Sequence, residues 1–456
     1  MLRGGEYSDM RCAIIGGGYS GAAVALALLK NLPSGHAITM FEPSREIGRG
    51  IAYATGPDHH LLNVAAHTVS ITPDDQGGFC AWAVSRFPDS ARYREADGAY
   101  FFPRSWFGTY VQECLANAIA SNPDVTFKHE IAVASSVRHE RGHLIVSSSI
   151  GEHEFDKVVF AIGNGPPSPI RLLEPCENPI VEQSAWKYNA NGIPKTARIV
   201  IVGSGLTMAD VVADLEGCGH QGSITCISRN GRRPHVSVGI RAEFTPAEEF
   251  PPIVTARELV QAVRRWTDDA VAQGGHWISG VDHVIRNTPT LWRSLPPIER
   301  SRLRRHARSL WEIHRYKMPP AAHRRIEALI ASGQFTHLRA TVLGVERGGV
   351  KIQDINGVRT IPADIVINAS GFDASYRTAL ASLPELLTAT GLDAATVARS
   401  GLAVDDNGRL LSEPPDSRGL LYALGFIARA NHGDMGTVNI IGSVAADIAR
   451  DIRGAV

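Results

Sequence analysis

The chain has 456 residues, of which 44% are apolar and 20% are charged, and its 46 basic residues balance 46 acidic ones. This length exceeds a single hydrophobic core and predicts two to four domains of ordinary globular composition. The balanced charge argues against a nucleic-acid partner, and the apolar runs are shorter than the roughly 20 residues that a membrane span needs.

The first predicted unit is a strand, a glycine turn and a helix. The segment RCAIIGGGYSG places Gly16, Gly18 and Gly21 in the spacing G-x-G-x-x-G before a helix-forming run. These glycines permit a tight turn, a close approach to a pyrophosphate and close packing of helix on strand. The next strand, AITMF, is followed by Glu42, 21 residues beyond Gly21. A carboxylate there accepts hydrogen bonds from ribose hydroxyls, so the unit predicts a dinucleotide site, which we assign to FAD.

A second unit of the same kind follows in RIVIVGSGLTMADVVADL, with Gly203, Gly205 and, at the third glycine position, Met208. The strand after it, SITCIS, leads into arginines rather than an acid. Arginine at this place suits a 2′-phosphate, which predicts NADPH rather than NADH; a solvated basic turn is the alternative. The residues that we assign to NADPH are Gly203, Gly205, Thr207, Arg229 and Arg232.

Each glycine unit is followed by strands that end in a similar closing strand. The first, KVVFAIGN, contains Gly163, and the second, DIVINASGF, contains Gly371. A long pattern that occurs twice indicates a domain duplication rather than a solenoid. The boundaries are expected in the Pro-rich segment GNGPPSPI and after Gly371.

The predicted fold class is α/β, with two Rossmann-like dinucleotide-binding domains. Residues 1–190 and 372–456 are expected to form the FAD-binding domain, because the tail has a strand and a final helix that return to it. Residues 191–371 are expected to form the NADPH-binding domain. Within it, an arginine-rich helical insertion spans about 251–332. Its arginines either lie on the solvent-exposed faces of amphipathic helices or face the cleft between the domains.

The six cysteines are scattered without a C-x-x-C pair. Free cysteines are usually buried and inert, so the pattern argues against a dithiol relay. The N-terminal sequence has no secretory pattern before its first strand, and we expect a cytoplasmic protein.

These motifs resemble the flavin-containing and N-hydroxylating monooxygenases, and more closely the FAD/NAD(P)-binding proteins of the YdhS-like family. The resemblance rests on GGGYSG, GRGIAY, HLLNVAA, FFPRSWFGTY, AIGN, GSGLTMAD, SRNGRRPH and HRYKMPP, which together span most of the chain. Some members of the wider group are amino-acid N-oxygenases, including a nitrosuccinate-forming aspartate N-monooxygenase. The tail ANHGDMGTVNIIGS departs from the YdhS-like pattern, which leaves the substrate open.

The resemblance implies a flavin ring between the two domains. His60 and Asn63 are then the candidate catalytic residues, although a core histidine and a turn-forming asparagine are the plain alternatives. The additional residues expected to bind FAD are Gly163, Gly425 and Thr437. The candidate substrate-binding residues are Arg104, His314 and Arg315.

The implied reaction uses NADPH to reduce the flavin and molecular oxygen to oxidise a small anionic metabolite. N-hydroxylation of an amino acid through a flavin hydroperoxide is the leading hypothesis. An NADPH-dependent reductase or oxidase, or a non-catalytic redox sensor, is the alternative. The expected partners are the substrate and oxygen, no metal is expected, and the oligomeric state is left open.

Overall fold

The computed structural model describes residues 9–54, 56–165, 170, 178–239, 244–246, 252–371, 385–386, 401–411, 419–433 and 436–454. The strands in these ranges, in chain order, are β1 (Arg11–Ile15), β2 (Ala37–Phe41), β3 (Thr126–Glu130), β4 (Ala134–Glu140), β5 (His143–Ser148), β6 (Gly151–Phe155), β7 (Lys157–Phe160), β8 (Ile180–Glu182), β9 (Ile199–Val202), β10 (Ile224–Ser228), β11 (Phe335–Arg339), β12 (Thr341–Glu346), β13 (Gly349–Asp354), β14 (Gly357–Pro362), β15 (Ile365–Asn368) and β16 (Leu421–Ala423).

The α-helices are distributed between and after these strands. They are α1 (Tyr19–Asn31), α2 (Gly78–Arg86), α3 (Arg104–Ser121), α4 (Leu206–Gly217), α5 (Ala256–Ala272), α6 (Trp277–Arg286), α7 (Thr288–Ser294), α8 (Pro297–His306), α9 (Arg308–Arg315), α10 (Pro320–Ala331), α11 (Arg429–His432) and α12 (Val438–Gly454). Short 3₁₀ helices occupy Ala66–Thr68, Ser90–Tyr93, Ala190–Gly192 and Gly425–Ala428.

Two five-stranded parallel sheets form the centre of the molecule. The first has the order β16-β7-β1-β2-β3 and the second β11-β10-β9-β15-β8. Both have all their strand pairs parallel, which places the carboxyl ends of the strands, and the turns that follow them, at one edge of each sheet. The predicted α/β class with two Rossmann-like sheets is confirmed.

Each parallel sheet is accompanied by a three-stranded antiparallel sheet. One is β4-β5-β6 and the other β12-β13-β14. The first packs its apolar face, through Val137, Leu144 and Val146, into the same buried cluster as Ala13 on β1. The second packs against β9 through Val350. The repeat expected from the two closing segments is therefore present in the strands.

Burial explains why α1 and α4 form where they do. The run from Tyr19 to Leu29 in α1 is buried throughout, against the central sheet on one side and α3 and α12 on the others. In α4, Met208 is fully buried in the core of the second sheet. Long apolar helices of this kind are stabilised by packing rather than by intrinsic propensity.

The helical insertion has its own small core. Residues of α5, α6 and α7, including Trp266, Val284 and Leu291, form a separate buried cluster. By contrast, Ala322 and Ile326 on α10 lie in the core of the second sheet with α4. The expected insertion of about 251–332 therefore includes one helix, α10, that packs as part of the dinucleotide-binding core.

Strand pairing also bears on the domain boundaries. β8 pairs with β15 in the second sheet, although a boundary at residue 190 assigns it to the first domain. β16 pairs with β7 in the first sheet, in agreement with the expected return of the tail. These pairings favour the Pro-rich segment as the first boundary. That segment lies partly outside the described residues, as do Cys176 and the stretch after Gly371.

Among the described residues, no helix is both long enough and apolar enough to cross a membrane.

Candidate active site

The first glycine turn has the geometry that the sequence predicts. Gly16 adopts φ +102°, and a Cβ there would lie 2.4 Å from the carbonyl oxygen of Ala161. A Cβ on Gly21 would lie 2.0 Å from the Gly16 oxygen. Helix α1 begins after Gly18 without a side-chain cap, which leaves its first backbone N–H groups for a ligand. The turn is a cradle that side chains would fill, and it fits a pyrophosphate.

Glu42 lies at the end of β2, beside this turn. Its carboxylate accepts hydrogen bonds from the backbone N–H of Gly17 at 2.8 Å and of Ser44 at 3.0 Å. Each carboxylate oxygen has further lone pairs, so these bonds fix the side chain while it remains able to accept from ribose hydroxyls.

The second glycine turn repeats the first. Gly203 has φ +114°, and its Cβ would lie 2.4 Å from the carbonyl oxygen of Ala369. Helix α4 begins after Gly205, again without a side-chain cap, and a Cβ on Gly205 would meet open space. Met208, at the third glycine position, is accommodated in the core and leaves the turn intact.

The backbone fixes which residues of the two turns are equivalent. Gly16 donates to the carbonyl of Phe41 and Gly203 to that of Ile227, both at 2.9 Å. The residue after Phe41 is Glu42, whereas the residue after Ile227 is Ser228. The hydroxyl of Ser228 forms a hydrogen bond of 3.0 Å with Nε2 of His337. The second turn therefore has no acid where the first has one.

Two predicted arginines lie close to this position. Arg229 lines the cavity described below and has no hydrogen-bond partner among the described residues. Arg232 also lines it, and donates to Oγ of Ser309 at 2.8 Å. The carbonyl of Arg232 accepts from Oγ of Ser204 in the glycine turn at 2.6 Å. The basic loop is thereby tied to both the turn and α9.

One cavity of about 1690 Å³ extends between the two parallel sheets and the helical insertion. From the first domain, it is lined by Asn63, Arg104 and Asn164. The second domain contributes the turn from Gly203 to Thr207. Thr437, the residue before helix α12, lies in the wall on another side. The cavity thus brings the predicted NADPH residues together with Thr437, whereas the predicted FAD residues of the first glycine turn and Glu42 do not line it.

Two polar atoms in the wall of the cavity lack hydrogen-bond partners among the described residues. Oγ1 of Thr437 and Oδ1 of Asn164 are buried, and neither has a hydrogen-bond partner within the described ranges. Unsatisfied buried polar atoms are costly, and they are expected where a ligand supplies the missing bond. A flavin ring carries both N–H donors and carbonyl acceptors, so the chemistry of these two residues fits FAD.

Two other predicted FAD residues, Gly163 and Gly425, do not line the cavity but directly precede Asn164 and Phe426, which do. Gly163 has φ +68° after β7, and Gly425 has φ +78° after β16. A Cβ on Gly425 would lie 2.8 Å from Oγ of Ser20 in the first turn of α1. Asn439 joins α12 to the first domain, accepting from the N–H of Ser70 and donating to the carbonyl of Thr68.

The three predicted substrate residues have different environments. Arg104 lines the cavity but pairs with Asp210 on α4. Arg315 lines it and is buried. His314 does not line it, because its ring packs against Trp277 and its Nδ1 contacts the carbonyl of Leu310 at 2.8 Å.

His60 is also placed away from the cavity. Its Nε2 lies 2.8 Å from Oδ1 of Asp214 on α4, and Nε2 of the neighbouring His59 lies 2.7 Å from the same oxygen. Burial tends to raise the pKa of Asp214, but the two imidazoles and the hydroxyl of Tyr188 hold it well below its usual range. Asn63 lines the cavity and His60 does not, so we propose only Asn63 as a residue of the active site.

Several lining residues were not singled out by the sequence. They comprise a tyrosine and an asparagine of the first domain and three cations of the insertion side: Tyr53, Asn164, Arg286, Arg305 and Lys317. Burial raises the pKa of Tyr53 to about 12, so its hydroxyl stays protonated at neutral pH. The only sequence signal for Asn164 was its place after the closing strand, in AIGN.

Two family profiles match the chain. Residues 13–165 match an FAD-NAD(P)-binding family, and residues 97–238 match a family of L-lysine 6-monooxygenases and L-ornithine 5-monooxygenases. Each match covers less than half of the chain. No curated protein matches it.

Solved structures are similar over nearly the whole length. An ornithine N-hydroxylase from Kutzneria sp. 744, determined with reduced FAD, NADP⁺ and L-ornithine, has 14% identity and a TM-score of 0.62 and covers 98% of this chain and 100% of its own. An L-lysine 6-monooxygenase from Pseudomonas syringae has 16% identity and a TM-score of 0.63, with 98% and 99% covered. The reduced ornithine hydroxylase from Pseudomonas aeruginosa has 16% identity and a TM-score of 0.60, with the same coverage.

These findings agree with the resemblance seen in the sequence. The FAD-NAD(P)-binding profile covers the first glycine turn, and the monooxygenase profile covers the second. The three structures share one fold with this chain at identities that carry the fold alone. The chain therefore has the fold of these solved ornithine hydroxylases and lysine monooxygenase, and its residues 13–165 are similar to an FAD-NAD(P)-binding family.

Proposed function

We propose that the protein is an FAD-dependent, NADPH-consuming monooxygenase that hydroxylates the nitrogen of a small amino acid. The observation that carries the proposal is the shared cavity. It joins the NADPH turn, at Gly203 and Gly205, to Asn63, Asn164 and Thr437 on the flavin side. A hydride donor and its acceptor must meet in one space, and this cavity provides it.

The preference for NADPH rests on charge at the second turn. Ser228 replaces the acid that would repel a 2′-phosphate, and Arg229 follows it within the cavity wall. Charge-assisted hydrogen bonds from a guanidinium to a phosphate are among the stronger ones in proteins. We assign Arg229 and Arg232 to this phosphate.

The chain's own residues bind and shield the reactants. FAD, when bound, supplies the acceptor for the hydride of NADPH and the reduced group that reacts with oxygen. Asn164 and Thr437 would hold polar atoms of that group, and the N-terminus of α12 would favour negative charge close by. Leu62, Val69 and Trp186 lie in the cavity wall and limit the access of water.

An anionic group on the substrate suits the charge of the insertion side. Cations outnumber acids on that side of the cavity, where Asp282 and Glu312 are accompanied by Arg286, Arg304, Arg305, Arg308, Arg315 and Lys317. Lys317 is buried and pairs with Asp282 at 3.2 Å. A carboxylate of an amino acid would enter this wall with favourable electrostatics. Arg104 is engaged by Asp210, so we assign it to the contact between the domains.

A disulfide reductase is the less favoured alternative. The described cysteines are all free, and Cys12 and Cys226 are buried in different core clusters. Burial raises the pKa of each thiol to about 12, which makes both poor nucleophiles.

Steady-state turnover tests the proposal. Purified protein with FAD is supplied with NADPH and oxygen, and a panel of amino acids is added one at a time. We expect one of them to accelerate NADPH oxidation and to yield a hydroxylated product. NADPH oxidation that produces only hydrogen peroxide with every amino acid would instead establish an oxidase.

A further inference from the structure

A cluster outside the cavity connects the two domains. His59 and His60 belong to a turn of the first domain, which the bond from the N–H of Arg104 to the carbonyl of His60 fixes to the start of α3. Asp214 projects from α4 of the second domain. One donor atom from each of the three side chains lies within 4.8 Å of the other two.

The contact of His60 is not a well-formed hydrogen bond. Its Nε2 is buried and lies 2.8 Å from Oδ1 of Asp214, but the geometry at this distance does not meet that of a hydrogen bond. His59 holds the same oxygen at 2.7 Å. The buried Nε2 of His60 therefore lacks a hydrogen bond, and a metal ion bound through the lone pair of this nitrogen would supply the missing interaction.

The other oxygen of Asp214 is already oriented. The hydroxyl of Tyr188 donates to Oδ2 at 2.8 Å, which leaves Oδ1 directed at the imidazoles. An outer hydrogen bond of this kind is the usual means by which a ligating carboxylate is held in place.

We propose that Nε2 of His59, Nε2 of His60 and Oδ1 of Asp214 bind one divalent transition-metal ion, with zinc as the preferred metal. Imidazole nitrogen and a single carboxylate oxygen are typical zinc ligands. With ligands at about 2 Å, their atoms lie roughly 3.3 Å apart around a tetrahedral ion. The carboxylate therefore needs to withdraw by roughly half an ångström, and water completes the coordination.

The ion would hold the two domains in one relative orientation. Asp210, one turn before Asp214 on α4, is held by Arg104 of the first domain. Helix α4 begins at the NADPH turn, so a second attachment through the metal fixes the direction in which that turn faces the cavity. None of the three ligands lines the cavity, and the inference does not depend on the proposed reaction.

Zinc titration by calorimetry tests the site directly. The full-length flavoprotein, free of any affinity tag and treated with a chelator, is titrated with Zn²⁺ alone. We expect one equivalent to bind, and His59→Ala, His60→Ala and Asp214→Asn to weaken the binding at least tenfold. His143→Ala is the matched control, because His143 also lies beside carboxylates, 3.2 Å from Asp156 and 3.6 Å from Glu154, but is more exposed.

A variant that keeps all three ligands guards against misfolding. Tyr188→Phe removes only the outer hydrogen bond and should weaken zinc binding about tenfold. Bound zinc should also raise the melting temperature of the wild type and of His143→Ala, but not of the ligand variants. The proposal is wrong if the wild-type protein binds no zinc, or if the three ligand variants bind zinc as tightly as the wild type does. The cluster would then be a hydrogen-bonded contact.

Discussion

Glu42 and Ser228 occupy equivalent positions in the two dinucleotide-binding domains. Each follows the residue whose carbonyl accepts a hydrogen bond from the first glycine of its turn, Gly16 in one case and Gly203 in the other. We propose that the carboxylate of Glu42 accepts hydrogen bonds from ribose hydroxyls and that a 2′-phosphate lies beside Ser228 and Arg229. The two cofactors that we assign are thus distinguished at this position of the duplicated turns.

Arg229→Ala should therefore discriminate between NADPH and NADH. A lost charge-assisted hydrogen bond costs about 1.5–3 kcal/mol, which corresponds to about a tenfold or greater increase in KM for NADPH. The KM for NADH should remain nearly unchanged, because NADH has no 2′-phosphate. Steady-state kinetics with both cofactors measure this, and Arg347→Ala, an exposed arginine outside the cavity, is the control. Equal effects on both cofactors would refute the assignment.

Two glycines of the second turn should respond differently to alanine. Gly203→Ala forces a Cβ against the Ala369 carbonyl at φ +114°, so the variant should lose stability. Gly205→Ala meets open space and should keep its melting temperature while binding NADPH at least tenfold more weakly. Thermal unfolding and NADPH titration distinguish the two effects. A Gly205→Ala variant with normal NADPH affinity would place the pyrophosphate elsewhere.

The Arg104–Asp210 ion pair should couple the two domains. Both side chains are largely buried, so their interaction exceeds that of an exposed pair. Arg104→Gln and Asp210→Asn should each slow flavin reduction by NADPH with FAD still bound. The increase in the activation free energy of flavin reduction in the double variant should be smaller than the sum of the two single increases. The difference should be about 1 kcal/mol or more. Simple additivity in stopped-flow reduction rates would show that the pair has no such role.

His337 should make the protein less stable in mild acid. Burial, and then the charge of Arg233, lower its pKa below the ordinary value of 6.5. The unfolded chain then binds a proton that the folded chain does not, so stability falls as pH decreases below about 6.5 towards the folded pKa. His337→Gln should reduce the loss of melting temperature between pH 7.5 and 5.5. His323→Gln, on the surface of α10, should not, and identical losses in all three proteins would contradict the prediction.

Local pattern was sufficient to predict much of the fold. The strand ending at Phe41 and the two helices after the glycine turns lie where the sequence placed them, because each depends on residues close in the chain. The three-residue strand β8 carried no comparable signal, and only its pairing with β15 reveals its domain.

The candidate site was predictable only in part. The choice of the glycines and Arg229 as candidates follows from their spacing in the sequence. The orientation of the His60 side chain instead depends on Asp214, which is distant in sequence and lies in the other domain. His314 and Arg315 are consecutive on α9 and therefore point about 100° apart, so the sequence could not tell which one faces the cavity. The unsatisfied atoms of Asn164 and Thr437 become visible only when the chain is folded.

Incubation under ¹⁸O₂ tests the central claim most directly. The flavoprotein is supplied with NADPH, ¹⁸O₂ and the amino acid that most accelerates NADPH oxidation, and the product is analysed by mass spectrometry. A monooxygenase inserts one ¹⁸O atom into the product, on nitrogen, for each NADPH consumed productively. A product without the label, with the oxygen recovered only as hydrogen peroxide, would contradict the account.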